Sequence, residues 1–447
     1  MRFRKTGRRG VALTALVAAT TLFAAGCSAG SLGSSSGGQG SAGGTTITWL
    51  VGSDDNTQRM VKEVVTAFQA ANPGITVKTE PRPGGSDGDN LVKTRLSTGE
   101  MAEVFTYNNG SLLSALKPAQ NLTPMDDQPW ASQLDKTFKD STTVDGKLYG
   151  GPWGSAQGGA VLYNIPVYKK LGLEIPKTWD EFMKNNEAVK KAGDIAPVEQ
   201  TYGETWTSQL FVLGDYHNVE AQVPDFAAQY TAGQVKYATT PAALAGFQHI
   251  QEVHEAGYFN KDFASAKLND GIKAIATGSA AHYPQLGGVS ANIENVAPGK
   301  SQDVGFFPLP GNDAAKNGMT IWPGNGMYIP KTAEGDKLDA AKKLIAFVAS
   351  QPGCEAQTKG AKPTGPYLTQ ACPLPSDVTQ VAKDTKDAID SGKASPALEF
   401  KSPIKGPALE QICVQVGTGQ VTGDKGAALY DQDVKKQAQQ LGLPGWE

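Results

Sequence analysis

The 447-residue chain reads as an α/β protein of two lobes, each a mainly parallel sheet flanked by helices. Three observations predict this. A strand, a helix and a second strand follow one another from residue 45 at the spacing of a βαβ unit, which implies parallel pairing. Capped amphipathic helices and short apolar strands then alternate to the C-terminus without an internal repeat. The body of the chain is also well beyond the length at which single cores stop growing and chains divide into domains.

The first element is a leader. Arg2, Arg4, Lys5, Arg8 and Arg9 form a basic start, and residues 11–25 form an apolar run too short for a comfortable transmembrane span. The run closes on Leu22-Phe23-Ala24-Ala25-Gly26-Cys27, a lipoprotein processing site. An ordinary secretory leader with an incidental cysteine is the weaker alternative, because Cys27 directly follows Ala-Ala-Gly. Residues 1–26 are thus expected to be removed and Cys27 to be lipidated, since two acyl chains anchor stably where one is marginal. The mature protein would sit on the outer face of the cell membrane. Residues 27–44 are nearly all Ser, Gly and Ala, a flexible tether with a reach of roughly 20 to 25 Å.

Order is expected from Thr45. In residues 45–51, Ile47, Trp49 and Val51 alternate against threonines. Val61, Val64, Val65 and Phe68 mark a helix stopped by Asn72-Pro73-Gly74, and residues 75–80 form the next strand. A short helix over 90–97, a strand over 103–107, a helix over 111–117 and an apolar strand over 160–163 follow. Thr178 with Glu181 reads as a capping box, with Trp179, Phe182 and Met183 on the buried side. A strand is expected near 197–201. Thr240-Pro241 opens a helix that Gly257 ends. Residues 304–307 and 327–329 are strands; Leu338, Ala341, Leu344, Ile345 and Val348 mark a helix, and Tyr430, Val434, Ala438 and Leu441 the last one.

Composition narrows the function. Loss of the leader removes five basic residues and no acid from a chain of net charge −3, leaving about −8, which disfavours nucleic acid as a partner. No second apolar run of membrane-spanning length occurs. Beside Cys27 stand Cys354, Cys372 and Cys413 in an oxidising compartment, so one disulfide and one odd thiol are possible. Cys354 with Cys372 is favoured, closing a loop worth roughly 3 kcal/mol, although the sequence does not select among three pairings. Their spacing fits no zinc pattern, and neither a metal nor a cofactor is expected.

Catalysis finds little support. Gly84-Gly85-Ser86-Asp87-Gly88 has the letters of a nucleophile elbow, but Pro81-Arg82-Pro83 precedes it instead of an apolar strand, so a loop is expected. The histidines His217, His249, His254 and His282 show no metalloprotease spacing, and no phosphate-cradling loop exists. Acid pairs such as Asp126-Asp127 are not placed by sequence across a glycosidic bond. The chain is not expected to be an enzyme.

Taken in order, the pieces resemble the solute-binding proteins of carbohydrate ABC importers, the maltose-binding-protein-like family. The likeness rests on residues 52–55 (GSDD), 68–77 (FQAANPGITV), 145–152 (DGKLYGGP), 161–164 (VLYN), 171–182 (LGLEIPKTWDEF), 276–283 (ATGSAAHY), 304–311 (VGFFPLPG) and the helix over 339–350. Singly these are weak; their shared order and spacing across nearly the whole mature chain are specific. Two departures stand out: Ala102-Glu103 replaces the usual Pro-Asp, and His282 replaces a Met near the expected pocket.

The resemblance implies a periplasmic-binding-protein-like fold whose lobes are discontinuous, with hinge crossings near Gly154, Pro308 and Ser350. One lobe would comprise residues 45–153 and 312–349, the other 154–311 and 350–447. A sugar, a disaccharide or short oligosaccharide, would be held in the interlobe cleft and delivered to the ABC permease by a monomer. Sugars present apolar faces to aromatic rings and hydroxyls to acids and amides, and ligands of open α/β sheets lie beyond the carboxyl ends of strands.

Candidates for ligand contact follow from those two rules. Asp54 and Asp55 follow the first strand, with capping of the next helix as the alternative for Asp55. Tyr107 and Asn108 follow the strand at Val104, with a turn as the alternative for Asn108-Asn109-Gly110. Trp153 stands at the first crossing, where it would be a stacking platform, and Trp206 is expected to be the best stacker. Glu204 and Trp206 align with a family segment that supplies an acid and an aromatic, the alternative for Trp206 being core. Tyr283, Gln285, Trp322 and Asn325 complete the set, whereas Trp179 is assigned to the core. A same-fold receptor for a charged solute would need an Arg or Lys cluster in the cleft. A lipid-anchored glycosidase is the more distant alternative.

Overall fold

The computed structural model describes residues 44–447. The leader, Cys27 and the tether up to residue 43 lie outside the described residues. Strands run in chain order as β1 Thr45–Gly52, β2 Ile75–Arg82, β3 Val104–Tyr107, β4 Thr143–Val144, β5 Lys147–Leu148, β6 Gly151–Trp153, β7 Gln157–Asn164, β8 Ala196–Val198, β9 Ala280–Leu286, β10 Val304–Phe307, β11 Met319–Trp322, β12 Asn325–Tyr328 and β13 Ala394–Pro396.

They build two larger sheets. The first has the order β2-β1-β3-β12-β6, and the second β13-β11-β7-β9-β8 with β10 also on β7; β4 and β5 form a separate hairpin. β1 is parallel to β2 over its length and to β3 at Trp49 and Leu50, while β12 is antiparallel to both β3 and β6. In the second sheet β7 is antiparallel to β9, β10 and β11, while β8 follows β9 and β13 follows β11 in parallel. In each sheet every strand but one therefore points the same way. The reversed strands are β7 and β12, the ones that receive the chain from the other sheet.

The chain leaves the first sheet between β6 and β7 and returns between β11 and β12. The return falls at Pro323-Gly324, later than the expected crossing near Pro308, because β11 pairs with β7 and β13 before the chain turns back. Residues 319–322 thus belong to the second sheet, although the expected boundary at 312 assigned them to the first lobe. The third crossing also comes later than Ser350. The helix Gln351–Gly360 still lies on the helix Asp55–Ala71 of the first sheet, where Arg59 Nε donates to the Gly360 carbonyl at 3.2 Å and Lys359 meets Glu63 at 2.5 Å.

Local sequence accounts for most elements. Asp54 caps Asp55–Ala71, its carboxylate accepting from the Thr57 amide at 2.9 Å, with Val61, Val64 and Phe68 buried beneath. Thr178 caps Trp179–Ala192, but the returning Glu181 carboxylate accepts from Lys177 instead of Thr178. The helix Gly335–Val348 buries Ala341, Leu344, Ile345 and Val348 as expected. Leu441 falls just past the last helix and is exposed.

Two expectations need correction. The stretch at 84–88 is no loop: Gly84 caps the helix Gly85–Thr98, with β2 directly before it. Ser86 there is exposed and has no hydrogen-bond partner among the described residues. His282, expected near the pocket, is fully buried in β9. Its Nδ1 faces Asn186 Oδ1 and the Pro197 carbonyl, both at 2.8 Å, so Nδ1 carries the proton and Nε2 accepts from the Tyr168 hydroxyl at 2.7 Å. Glu103 fits without strain, accepting from the Thr48 amide at 2.7 Å and from Lys337 at 2.5 Å. Cys354 and Cys372 form a disulfide and Cys413 is free and buried. No helix of the described residues is long and apolar enough to cross a membrane.

Candidate functional site

The common strand direction concentrates the candidate groups. All strands except β7 and β12, the hairpin apart, end toward the crossings, so the loops after β1, β2, β3, β6, β8, β9, β10, β11 and β13 gather where the sheets join. This is the end at which α/β sheets hold ligands. A surface groove of about 440 Å³ lies at the opposite end of β1 and β2, beside Thr45, Ile75, Asp336 and Lys343.

Two glycines make the crossings. Gly154 and Gly324 have φ of 78° and 71°, a region open to glycine at little cost. A Cβ on Gly324 would stand 2.7 Å from Leu368 and 3.0 Å from the Trp153 carbonyl, so the two crossings run side by side. Each is pinned by an amide that sequence reasoning missed. Gly154 N donates to buried Gln357 at 2.9 Å, and Asn109 Nδ2 donates to the Gly324 carbonyl at 3.1 Å. Asn109 Oδ1 accepts from the Tyr328 hydroxyl at 2.7 Å. The Cys354–Cys372 disulfide ties the segment that carries Gln357 to the one beyond Tyr367, whose neighbour Pro366 accepts from Ala156 at 2.8 Å.

On the first-sheet wall, Asp54 and Asp55 are exposed, and the cap is Asp54 where Asp55 was the considered alternative. Asn108 is half-buried and its carbonyl accepts from Tyr328 at 3.3 Å. Tyr107 is fully buried among Leu50, Val92 and Leu113, with Arg82 5.6 Å from its ring. Trp153, expected as a stacking platform, is closed off. It lies edge-on to Trp49 at 4.9 Å, because β6 is drawn against β12 over the first-sheet core.

On the second-sheet wall, Glu204 is the N-cap of a short turn of helix, Thr205–Gln209, Trp206 lies within that turn, and both remain half-buried. Glu204 Oε1 accepts from the Leu268 amide at 3.2 Å, leaving its other oxygen open. Of the seven tryptophans, Trp206 is the one that is half-buried; each of the others is at most 8 % exposed. Tyr283 and Gln285 are fully buried and bonded to each other at 3.4 Å, the tyrosine also to Thr201 at 2.7 Å. Trp322 lies flat across Gly159, where a Cβ would come within 2.2 Å of its ring. Its indole N–H donates to Glu399 at 2.6 Å, and Lys405 meets the other oxygen of that acid at 2.9 Å. Glu399 carried no usable signal, since Pro396 and Pro403 frame a stretch that does not read as a strand end. Asn325 is half-buried beside Trp153 in the ladder.

The accessible groups, Asp54, Asp55, Asn108, Glu204, Trp206 and Asn325, are thus acids, amides and one indole. Nearby cations are offset: Arg82 stands beside Asp89 and Asp54, and Lys405 pairs with Glu399. An anionic solute would require an uncompensated basic cluster, and these two cations, among the described residues, each stand beside an acid. No group of three His, Cys, Asp or Glu that could hold a metal ion occurs among the described residues. Behind the wall, burial and then the charges of Asp262 and Asp270 push the Glu199 carboxyl up to about 8, and its Oε1 accepts from Asn260 at 3.1 Å.

Comparison with known proteins gives a consistent result. The profile of the family described as bacterial extracellular solute-binding protein matches residues 63–387. The multiple sugar-binding protein of Streptococcus mutans is 24 % identical over 298 residues, 65 % of this chain and 68 % of that one. The melibiose/raffinose/stachyose-binding protein MelE of Bacillus subtilis is 21 % identical over 392 residues, 84 % of this chain and 83 % of its own. Among solved structures, a chitin oligosaccharide binding protein superposes with a TM-score of 0.75 at 22 % identity, covering 89 % of this chain and 99 % of that one. A solute-binding protein in complex with raffinose superposes at 0.72 and 17 % identity, covering 86 % and 98 %.

Proposed function

The chain belongs to the bacterial extracellular solute-binding proteins, and from that membership we propose that it captures a neutral di- or oligosaccharide for an ABC importer. The observation that carries the sugar assignment is half-buried Trp206 beside Glu204, beyond the carboxyl end of β8, with the other accessible candidates at the strand ends being acids and amides. A flat apolar face with hydroxyl-pairing groups around it matches the two chemistries of a pyranose. Relatives named for melibiose, raffinose, stachyose and multiple sugars support the same class.

The lobes we assign are residues 45–153 with 325–372, and 157–322 with 373–447. Sugar bound to both stabilises the closed arrangement by its differential affinity for it, and a permease reads that shape. We place the monomeric protein on the outer face of the membrane through lipidated Cys27, with no catalytic step. The remaining candidates Tyr107, Trp153, Tyr283, Gln285 and Trp322 we assign to supporting the walls.

Thermal-shift measurement with raffinose, stachyose, melibiose, chitin oligosaccharides and maltose tests the assignment. At least one should raise the melting temperature, and Trp206→Ala should weaken that sugar tenfold or more while the unliganded melting temperature stays put. Undiminished affinity in the variant would remove Trp206 from the site; a shift only with amino acids or charged solutes would overturn the sugar reading.

A further inference from the structure

Beside the turn that carries Trp206 runs a row of fully buried side chains, Thr207, Thr201, Tyr283 and Gln285. Their hydrogen bonds have only one consistent direction. The Thr207 hydroxyl has a single hydrogen, and it goes to backbone carbonyls, that of Thr201 at 2.8 Å and that of Glu204 at 2.9 Å. Thr207 Oγ1 therefore accepts from Thr201 Oγ1 at 2.9 Å, and Thr201 Oγ1 in turn accepts from the Tyr283 hydroxyl at 2.7 Å. The Leu286 amide donates to Gln285 Oε1 at 2.9 Å, which turns Gln285 Nε2 toward the Tyr283 oxygen at 3.4 Å. Gly271 lets the row close up, since a Cβ there would stand 2.8 Å from both Thr201 and Tyr283.

The row ends on the turn itself. Glu204 caps Thr205–Gln209 without a side-chain bond to it, because its carboxylate accepts from the Leu268 amide. A single turn of this tighter helix has poor internal hydrogen-bond geometry, so bonds from outside set its orientation. Thr207, next to Trp206 in the chain, supplies one anchor. Ser208 supplies another, donating to the Thr205 carbonyl at 2.7 Å and the Glu410 carbonyl at 3.0 Å. In a buried row each hydroxyl polarises the next, so the loss of one donor is felt along it.

We propose that Tyr283, Thr201 and Thr207 are positioning residues for Trp206: their one-way chain of hydrogen bonds, running from β9 to the Glu204 carbonyl, fixes the indole and so sets the affinity of the site. The effect on affinity rests on the sugar reading, whereas the placement of the indole does not.

The test uses the full-length chain in detergent, labelled with 5-fluorotryptophan. It carries seven fluorine reporters, and Trp206→Phe and Trp446→Phe identify two of them. Without ligand, Thr207→Val and Tyr283→Phe should each shift or broaden the Trp206 resonance and leave that of Trp446 in place, while Thr207→Ser should keep the parent position. Circular dichroism separates a moved indole from lost folding, and either variant suffices if the other does not fold. With raffinose, stachyose or melibiose, whichever the parent binds, Thr207→Val should weaken binding about fivefold, on the order of one net hydrogen bond. It should add nothing in the Trp206→Ala background, where a purely structural loss would still register. A Trp206 resonance unmoved in the folded variants, or a Thr207→Val loss that persists at full size without the indole, would overturn the proposal. A parent that binds no saccharide would defeat the sugar reading alone, and the ligand-free spectra would still decide the positioning.

Discussion

Trp206 and Trp153 were assigned the same role from sequence, and only Trp206 stays partly exposed. Both sit among glycines or small polar residues, which gives no hydrophobic period to read. Trp153 is buried because its strand, at the sheet edge, pairs with Asn325–Tyr328 and its ring packs edge-on against Trp49, contacts made by residues remote in the chain. Trp206 stays half-buried because it sits on a single helical turn at the edge of its sheet. His282 was misplaced for a related reason, since a polar residue in an apolar run could only be located once its three partners were known.

Titration offers a further test at this scale. Glu199 is raised to about 8, chiefly by burial, so the folded state holds its proton more tightly than the unfolded one. Its stabilising contribution is complete below its ordinary range and is lost as pH rises toward 8. His282, lowered to about 3 by burial, acts oppositely: the stability it supports above pH 6.5 is lost as pH falls toward 3. Between pH 6.5 and 8 Glu199 therefore acts without His282. Denaturant unfolding of Glu199→Gln across that window should show a shallower decline than the parent, by up to about 1.4 kcal/mol per pH unit. Equal slopes would mean that Glu199 is already ionised when folded.

At the scale of elements, strand, helix and cap were legible because each is written in neighbouring residues: Asp54, Thr178 and the stripe Leu344, Ile345, Val348 needed nothing distant. The reversed strands and the crossings were not. Asn325–Tyr328 pairs with Val104–Tyr107 across more than two hundred residues, and nothing local announces it. The two crossing glycines make separable predictions. Gly324→Ala adds a Cβ against Leu368 and the Trp153 carbonyl in a left-handed backbone, whereas Gly154→Ala meets open space and bears the backbone cost alone. Thermal unfolding should place the Gly324 variant below the Gly154 variant, which itself should lose about 1–2 kcal/mol. Cys372→Ser should cost about 3 kcal/mol by freeing the loop that presents Gln357 to Gly154. A smaller loss would mean that the loop is held by packing alone.

For the whole molecule, two sheets whose strands end at a shared pair of crossings form one site only if both walls engage the same ligand. Sugar binding should then reduce the radius of gyration measured by small-angle scattering in the parent chain. The same sugar should leave Trp206→Ala unchanged at concentrations that saturate the parent. The family and its α/β character were legible from the order of several weak motifs; the position of the return crossing was not, because it depends on how Met319–Trp322 pairs.

Calorimetric titration of the mature chain with neutral di- and oligosaccharides tests the central claim most directly. The account predicts saturable one-to-one binding of at least one of them, with a negative heat-capacity change as the indole and the sugar face leave water. Absence of heat with every saccharide, together with saturable binding of an amino acid, peptide or other charged solute, would contradict it.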